Sequence, residues 1–275
     1  GKNWVDCALQ KSPFCFSIKA HTKTLDAPVA TPTPTPATYK VTYHKNSSLA
    51  IGDVPSDQTA YTSGSTVTVK NAAYCNTHFF TGWNTEYDGS GTSYAPGDKF
   101  TITGNITLYA QWKSAYISSD NLIFRVKGKN EVTCSGTTDR YIKSLVVPTT
   151  IRYAGITYKV TSVWTKAFYG HTMLKKVAIG NNVTAIGSHA FRDCKNLDRV
   201  AIGTGLTRIG AYAFRNVKKG CIIQIKSMKL NNVGSKIDSY SPQMTIRVHP
   251  QKLSYYRRLF SKRSRTISVI AYKIS

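Results

Sequence analysis

"AIGSHAFRDCKNLDRVAIG", Ala185–Gly203, is the stretch on which the fold turns. Much of it is written again nearby, as "SVWTKAFYGHTMLKKVAIG" from Ser162 and "RIGAYAFRNV" from Arg208. Phe168, Phe191 and Phe214 lie 23 residues apart, and the same step relates Val163, Ile186 and Ile209. It also relates Val177, Val200 and Ile223, and Ile179, Ile202 and Ile225. A period of about 20–29 residues with this apolar pattern marks a solenoid of stacked coils. One such coil cannot bury its own apolar face, but stacked coils bury one another's, so each must solve the same packing problem. Each copy is expected to add one short strand, such as "LKKVAI" (Leu174–Ile179), to a parallel sheet, and to anchor its "AF" inside.

The pattern extends in both directions. Leu145 and Val147 fit a preceding coil, with the hairpin "RYAGITYKV" inserted before Val163. Ile246 and Val248 fit a degraded fourth coil; beyond them "HPQKLSYYRRLF" resembles the helix that often closes such arrays, and "RTISVIAYK" a terminal strand. Upstream, "NLIFRVKGKNEVTCSG" reads as a hairpin turning near Gly128-Lys129-Asn130, part of an entry cap. The middle copy, "VTAIGSHAFRDCKNLDRVAIG" (Val183–Gly203), resembles the leucine-rich repeats of BspA-type surface proteins almost throughout. Its neighbours depart: His171 and Val217 stand at the place of Cys194, and Gly220 where Leu197 would recur. The resemblance covers about Asn121–Ser275. It implies a short solenoid, a secreted or cell-surface location, and binding rather than catalysis; it also maps the family's buried cysteine onto Cys194.

Ahead of the solenoid the composition changes twice. "APVATPTPTPAT" (Ala27–Thr38) alternates proline, which favours an extended polyproline spacer. From Tyr39 to Lys113 the pattern is β: "YKVTYH", "STVTVK" and "KFTITG" alternate, and "NITLYAQW" is a β-branched and aromatic run. Trp83, Trp112, Phe80, Tyr94 and Leu108 are the expected core. "FTGWNTEYDGSGTSYAPGDKFTITGNITLYAQW" resembles the Listeria–Bacteroides, or internalin-type B, repeat. The carrying residues are Gly82-Trp83-Asn84, Asp88-Gly89-Ser90-Gly91-Thr92, Tyr94, Pro96-Gly97 and Thr107–Trp112. "HKNSSLAIGDVP" departs from the Asn-Gly-Gly turn usual there. The resemblance implies a β-grasp-like module with a spacer or adhesion role. The expected class is therefore mainly β (α+β), with an arm and linker at 1–38, the B-repeat module at 39–113 and the repeat domain at 114–275.

Charge is placed as unevenly as the repeats. The net charge is +24, and residues 114–275 supply +22 of it, with 28 basic and 6 acidic side chains. A field of that size attracts polyanions. Arg192 with Arg215, and Lys195 with Lys218, recur at the rung period and predict like-charge ladders on the back of the solenoid. Lys175, Lys176 and Arg199 fall on the strand side, and Arg257 and Arg258 on the closing helix beside Tyr255 and Tyr256. These nine basic residues are the candidate ligand-binding set.

Catalytic signatures are missing. The sequence contains no HExxH, GxSxG, GxxxxGK[ST] or GxGxxG. Its 13 carboxylates do not cluster, and its cysteines form no CxxC pair, so no metal or other cofactor is expected. Cys7 and Cys15 are close enough for a local bridge, and Cys75 lies near His78 in "YCNTHFF". No run of about 18 apolar residues predicts a membrane span. The start at Gly1-Lys2 reads as a mature or trimmed end. These observations point to a non-enzymatic, extracellular or surface-borne bacterial protein binding a host or bacterial surface protein or glycan. The alternatives are a binder of an anionic polymer, teichoic acid or nucleic acid, and an accessory module of a hydrolase.

Overall fold

The computed structural model describes residues 36–48, 54–71, 75–264 and 266–273, and Ala37–Ser275 form one compact unit. Cys7, Cys15, Arg265 and most of the Thr-Pro tract lie outside the described residues. Thr38, the tract's last residue, already pairs with Thr62 in a short ribbon.

The 23-residue period becomes a six-stranded parallel sheet. Its strands are Ser144–Val147, Lys176–Ile179, Arg199–Ile202, Ile222–Ile225, Thr245–Val248 and Ser268–Ala271. Leu145, Val177, Val200, Ile223, Ile246 and Val269 fall in one row, and Val147, Ile179, Ile202, Ile225, Val248 and Ala271 in the next. All of these except Ala271 are buried. Side chains alternate along a strand, so the residues between them face out. The degraded fourth coil and the terminal strand thus extend the sheet in register. A second sheet stacks Ile156–Val163, Ala185–Ile186, Arg208–Ile209 and Asn232–Val233, and is continued by the entry hairpin Leu122–Gly128/Glu131–Thr137. The helix Leu253–Ser261 closes the array through buried Tyr256 and Phe260; the Tyr256 hydroxyl donates to the Ser227 carbonyl at 2.8 Å.

Between the sheets the phenylalanines form one column. Phe168 and Phe191 stack at 5.4 Å and 11°, and Phe191 and Phe214 at 5.4 Å and 3°. All three are fully buried, and Ile237 occupies the next step. Burying each ring stabilises by about 1.5–3 kcal/mol, and stacked pairs add about 0.5–1.5 kcal/mol. Each coil hangs its polar groups on the coil before it: Thr184 Oγ1 donates to Thr161 O at 3.1 Å, and Thr207 Oγ1 to Thr184 O at 3.0 Å. Cys194 Sγ donates to Phe168 O at 3.1 Å, and Ser241 Oγ to Phe214 O at 2.9 Å, so the cysteine role passes to a serine one residue out of step. The expectation for Gly220 is corrected in the same way. Gly220 turns the chain with φ +74°, and Cys221 fills the buried slot held by Leu174 and Leu197.

The B-repeat module is all β among its described residues. Its four-stranded sheet runs Val41–His44, Ile106–Lys113, Phe79–Asn84, Ser93–Tyr94, with the first two strands parallel. Phe80, Trp83 and Leu108 are buried in its core, while Tyr94 and Trp112 pack against it half-exposed. Asn84 holds the Gly-rich turn: its Nδ2 donates to Gly89 O and Gly91 O, and its Oδ1 accepts from the Glu86 and Gly91 amides. Phe79 belongs to the other core. It packs edge-on against Tyr116, Tyr153 and Tyr158 at 6.1, 5.5 and 5.2 Å, residues of the solenoid's entry region. The inserted hairpin of Tyr153 and Tyr158 therefore docks the two modules together.

Close rung approach also explains the glycine of each "IG". A methyl group at Gly210 would sit 2.4 Å from the Ser188 amide nitrogen, which is backbone and cannot swing aside. Gly210→Ala is expected to destabilise the solenoid by about 1–3 kcal/mol, the usual cost of overpacking. Urea unfolding followed by far-UV circular dichroism checks this; an unchanged midpoint would mean the rungs are not held at this spacing.

Candidate functional site

The candidate basic residues divide between two sides of each coil. On the strand side, Lys176 and Arg199 are register partners on neighbouring strands, with Ile222 next in the row. The outward row beside them is Val146, Ala178, Ala201, Gln224, Arg247 and Ile270. Lys175 precedes its strand, and its carbonyl accepts from the amides of Asp198 and Arg199.

On the turn side several of the expected ladder cations have aromatic or acidic partners. Arg192 lies over the Tyr169 ring at 5.5 Å and pairs with Asp193 at 3.3 Å. Arg215 lies between Tyr212 at 5.5 Å and Tyr240 at 4.8 Å. His189 stacks on Tyr212 at 4.9 Å, and Asn216 Nδ2 donates to Asp193 Oδ1 at 2.8 Å. Lys218 turns to Asp198 at 2.9 Å, and Arg199 meets the same carboxylate at 3.6 Å. Lys195 stays exposed. The guanidinium groups thus stand in a framework of rings and acids that stacking brings together. A cation over an aromatic face gains about 0.5–1 kcal/mol when exposed.

The electrostatics follow this arrangement. Burial alone would raise the Asp193 carboxyl, but hydrogen bonds from Asn216 and Tyr169 and the Arg192 charge hold it below the ordinary range. The Lys218 hydrogen bond does the same for Asp198. Burial, then the charges of Arg192, Lys166 and Arg215, press the His189 imidazole below its usual value. On the closing helix, Arg257 Nε donates to Val269 O at 3.1 Å, which ties the helix to the last strand. Arg258 is exposed.

The tyrosines are the part that the sequence reading passed over. Tyr169 holds the same repeat position as Arg192 and Arg215, which was a usable signal. Tyr212 and Tyr240 come from other positions and reach Arg215 only through the turn geometry. Asp193 and Tyr240 both adopt left-handed backbone, with φ of 62° and 60°.

Two segments of the chain match family models. Residues 148–266 match the family model of the BspA type leucine-rich repeat region, and residues 39–111 that of the Listeria-Bacteroides repeat domain. A Gly-rich protein of Evansella cellulosilytica, named as a membrane protein, is 49% identical over 55 residues, which make up 20% of this chain and 6% of that protein. A second protein of that organism, also named as a membrane protein, is 43% identical over 65 residues, 23% of this chain and 10% of its own length. Among solved structures, a leucine-rich repeat protein from Bacteroides capillosus aligns with TM-score 0.42 and 19% identity, over 50% of this chain and 99% of its own. A leucine-rich cell surface protein from Faecalibacterium prausnitzii aligns with TM-score 0.38 and 19% identity, over 50% of this chain and 45% of its own.

The cysteine chemistry is also placed. Cys75 Sγ lies 3.4 Å from Thr77 Oγ1, which is 2.8 Å from His78 Nδ1, so a hydroxyl stands between thiol and imidazole. Among the described residues no group of three or more His, Cys, Asp or Glu could hold a metal ion, and no helix is long and apolar enough to cross a membrane. Cys134, Cys194 and Cys221 have no exposed surface, and burial pushes each thiol up to about 12. The thiolate is the reactive form. All three are therefore expected to resist iodoacetamide at pH 8 in the native protein and to react once it is unfolded in guanidinium. Site-resolved mass spectrometry reads this; native labelling of Cys194 would contradict the packed interior.

Proposed function

We propose, for a chain that joins a Listeria-Bacteroides repeat domain to a BspA type leucine-rich repeat region, an adhesive role rather than a catalytic one. The protein is read as secreted or displayed on a bacterial surface, where it binds macromolecules of a host or a neighbouring cell. Anionic glycans are the ligand class. The observation that carries this reading is the turn-side array, in which Arg192 and Arg215 are held over Tyr169, Tyr212 and Tyr240. Guanidinium groups fixed in advance lose less freedom on meeting sulfate or carboxylate, and their forked donors suit both. Each charge-assisted contact contributes about 1.5–3 kcal/mol, and several along one polymer reinforce one another.

Lys195 extends the array. Lys218 and Arg199 share Asp198 and are weaker candidates, and Arg257 is occupied by its tie to the last strand. Lys175, Lys176 and Arg258 contribute to the long-range field. Teichoic acid or nucleic acid is the competing class. Single-stranded nucleic acid is usually gripped by bases stacked on open aromatic faces. Here arginine already covers a face of each tyrosine, which favours glycans.

The double variant Arg192→Ala/Arg215→Ala tests the proposal on immobilised heparin and chondroitin sulfate. It is expected to bind at least about tenfold more weakly at 0.15 M NaCl, with a shallower fall of affinity with salt. Unchanged affinity, or equal binding of DNA by the unaltered protein, would overturn the assignment.

A further inference from the structure

The hairpin turns of the solenoid's entry region have no part in the repeat, yet they stand over the B-repeat module. Together they enclose a cleft of about 720 Å³. One wall comes from the B-repeat module and carries Phe80, Trp112, His78 and Asn71. The other comes from the Gly128–Asn130 turn and from the inserted hairpin over Arg152–Tyr158, and carries Lys129, Asn130, Arg152 and Tyr158. The walls are fixed. Phe79, one residue from Phe80, is locked among Tyr116, Tyr153 and Tyr158. Asn130 O accepts from the Lys159 amide at 2.8 Å, and Trp112 Nε1 donates to Lys45 O at 2.9 Å. A volume of this size lies within the range of small-molecule sites, about 300–1,000 Å³.

The lining has a definite chemistry. Lys129, Arg152 and the amides of Asn71 and Asn130 are hydrogen-bond donors, and Trp112, Phe80 and Tyr158 supply apolar surface. No carboxylate lines the cleft among the described residues. A neutral sugar can use the asparagine amides and the Tyr158 hydroxyl, but it leaves the two cations, Lys129 and Arg152, without a counter-charge. An anion on a compact ring uses the donors fully, and the carbon face of a pyranose packs flat against tryptophan.

We propose that this inter-module cleft binds a single acidic sugar residue, a pyranose bearing a carboxylate, at the end of a glycan chain. Arg152 and Lys129 engage the carboxylate, and Trp112 packs against the ring. The site lies away from the turn-side arginines and does not depend on them. It recognises one terminal residue, whereas that array meets a polymer along its length.

Titration calorimetry and tryptophan fluorescence with 3′-sialyllactose, a glucuronic acid disaccharide and lactose test the assignment on the full chain. At least one acidic sugar is expected to bind, quench tryptophan emission, and bind at least about tenfold more tightly than lactose. Arg152 is exposed, so Arg152→Ala is expected to keep the native circular dichroism spectrum. It should weaken the acidic sugar about tenfold or more, as loss of a charge-assisted hydrogen bond does. Arg192→Ala/Arg215→Ala should leave that affinity unchanged. Absence of binding by both acidic sugars, equal binding of lactose, tighter binding of a nucleotide such as AMP, or indifference to Arg152→Ala would overturn the proposal. Loss of heparin binding by the array variant with this affinity intact would separate the two sites.

Discussion

Everything in the repeat region depends on the distance between one coil and the next. Parallel strands at hydrogen-bonding distance set that distance at about 4.8 Å, and the phenylalanine rings follow at 5.4 Å. Each position in a coil therefore meets its own counterpart in the next. Flat rings stack, threonine hydroxyls reach the carbonyl one coil back, and only glycine fits where a methyl group would lie 2.4 Å from the neighbouring backbone. The same rule puts charge on charge. A chain that carried arginine alone at such a position would oppose its own folding. The turn side shows the resolution, because Tyr169, Tyr240, Asp193 and Asp198 are interleaved with the cations.

Periodicity made most of the fold legible. The strand rows and the phenylalanine column follow from apolar positions recurring at a fixed step, and the closing helix and terminal strand from a resemblance to the ends of such arrays. Even the imperfect coils could be placed, because a strand row tolerates any aliphatic side chain. Legibility failed where the step slips by one residue. Cys221 and Ser241 take over the roles of Leu197 and Cys194 from shifted positions, and a fixed period cannot see that. It also failed between modules. Phe79 and Phe80 look alike in sequence, yet they serve different cores, because the inserted hairpin brings three tyrosines to one of them.

The candidate site was legible in its charges and not in its geometry. Counting basic residues located the field in residues 114–275. It did not show that Arg257 is spent on holding the last strand, that Lys218 turns to Asp198, or that Arg215 sits between two rings. The Lys218–Asp198 and Arg215–Tyr240 contacts join residues 20 and 25 positions apart, which only the stacked coils make neighbours. The inserted hairpin was likewise visible as an interruption of the repeat. Its use, to dock one module on the other and roof a cleft, appears only in three dimensions.

The central claim is that the coils share one continuous interior and stand or fall together. The free energy of unfolding of Phe191→Ala, from urea titration of the full chain, tests it most directly. Phe191 is the ring with a stacked neighbour on both sides. The account predicts a loss of about 3–5 kcal/mol, with the solenoid still melting in a single transition. A loss under about 1 kcal/mol, or separate melting of the coils before and after Phe191, would contradict it.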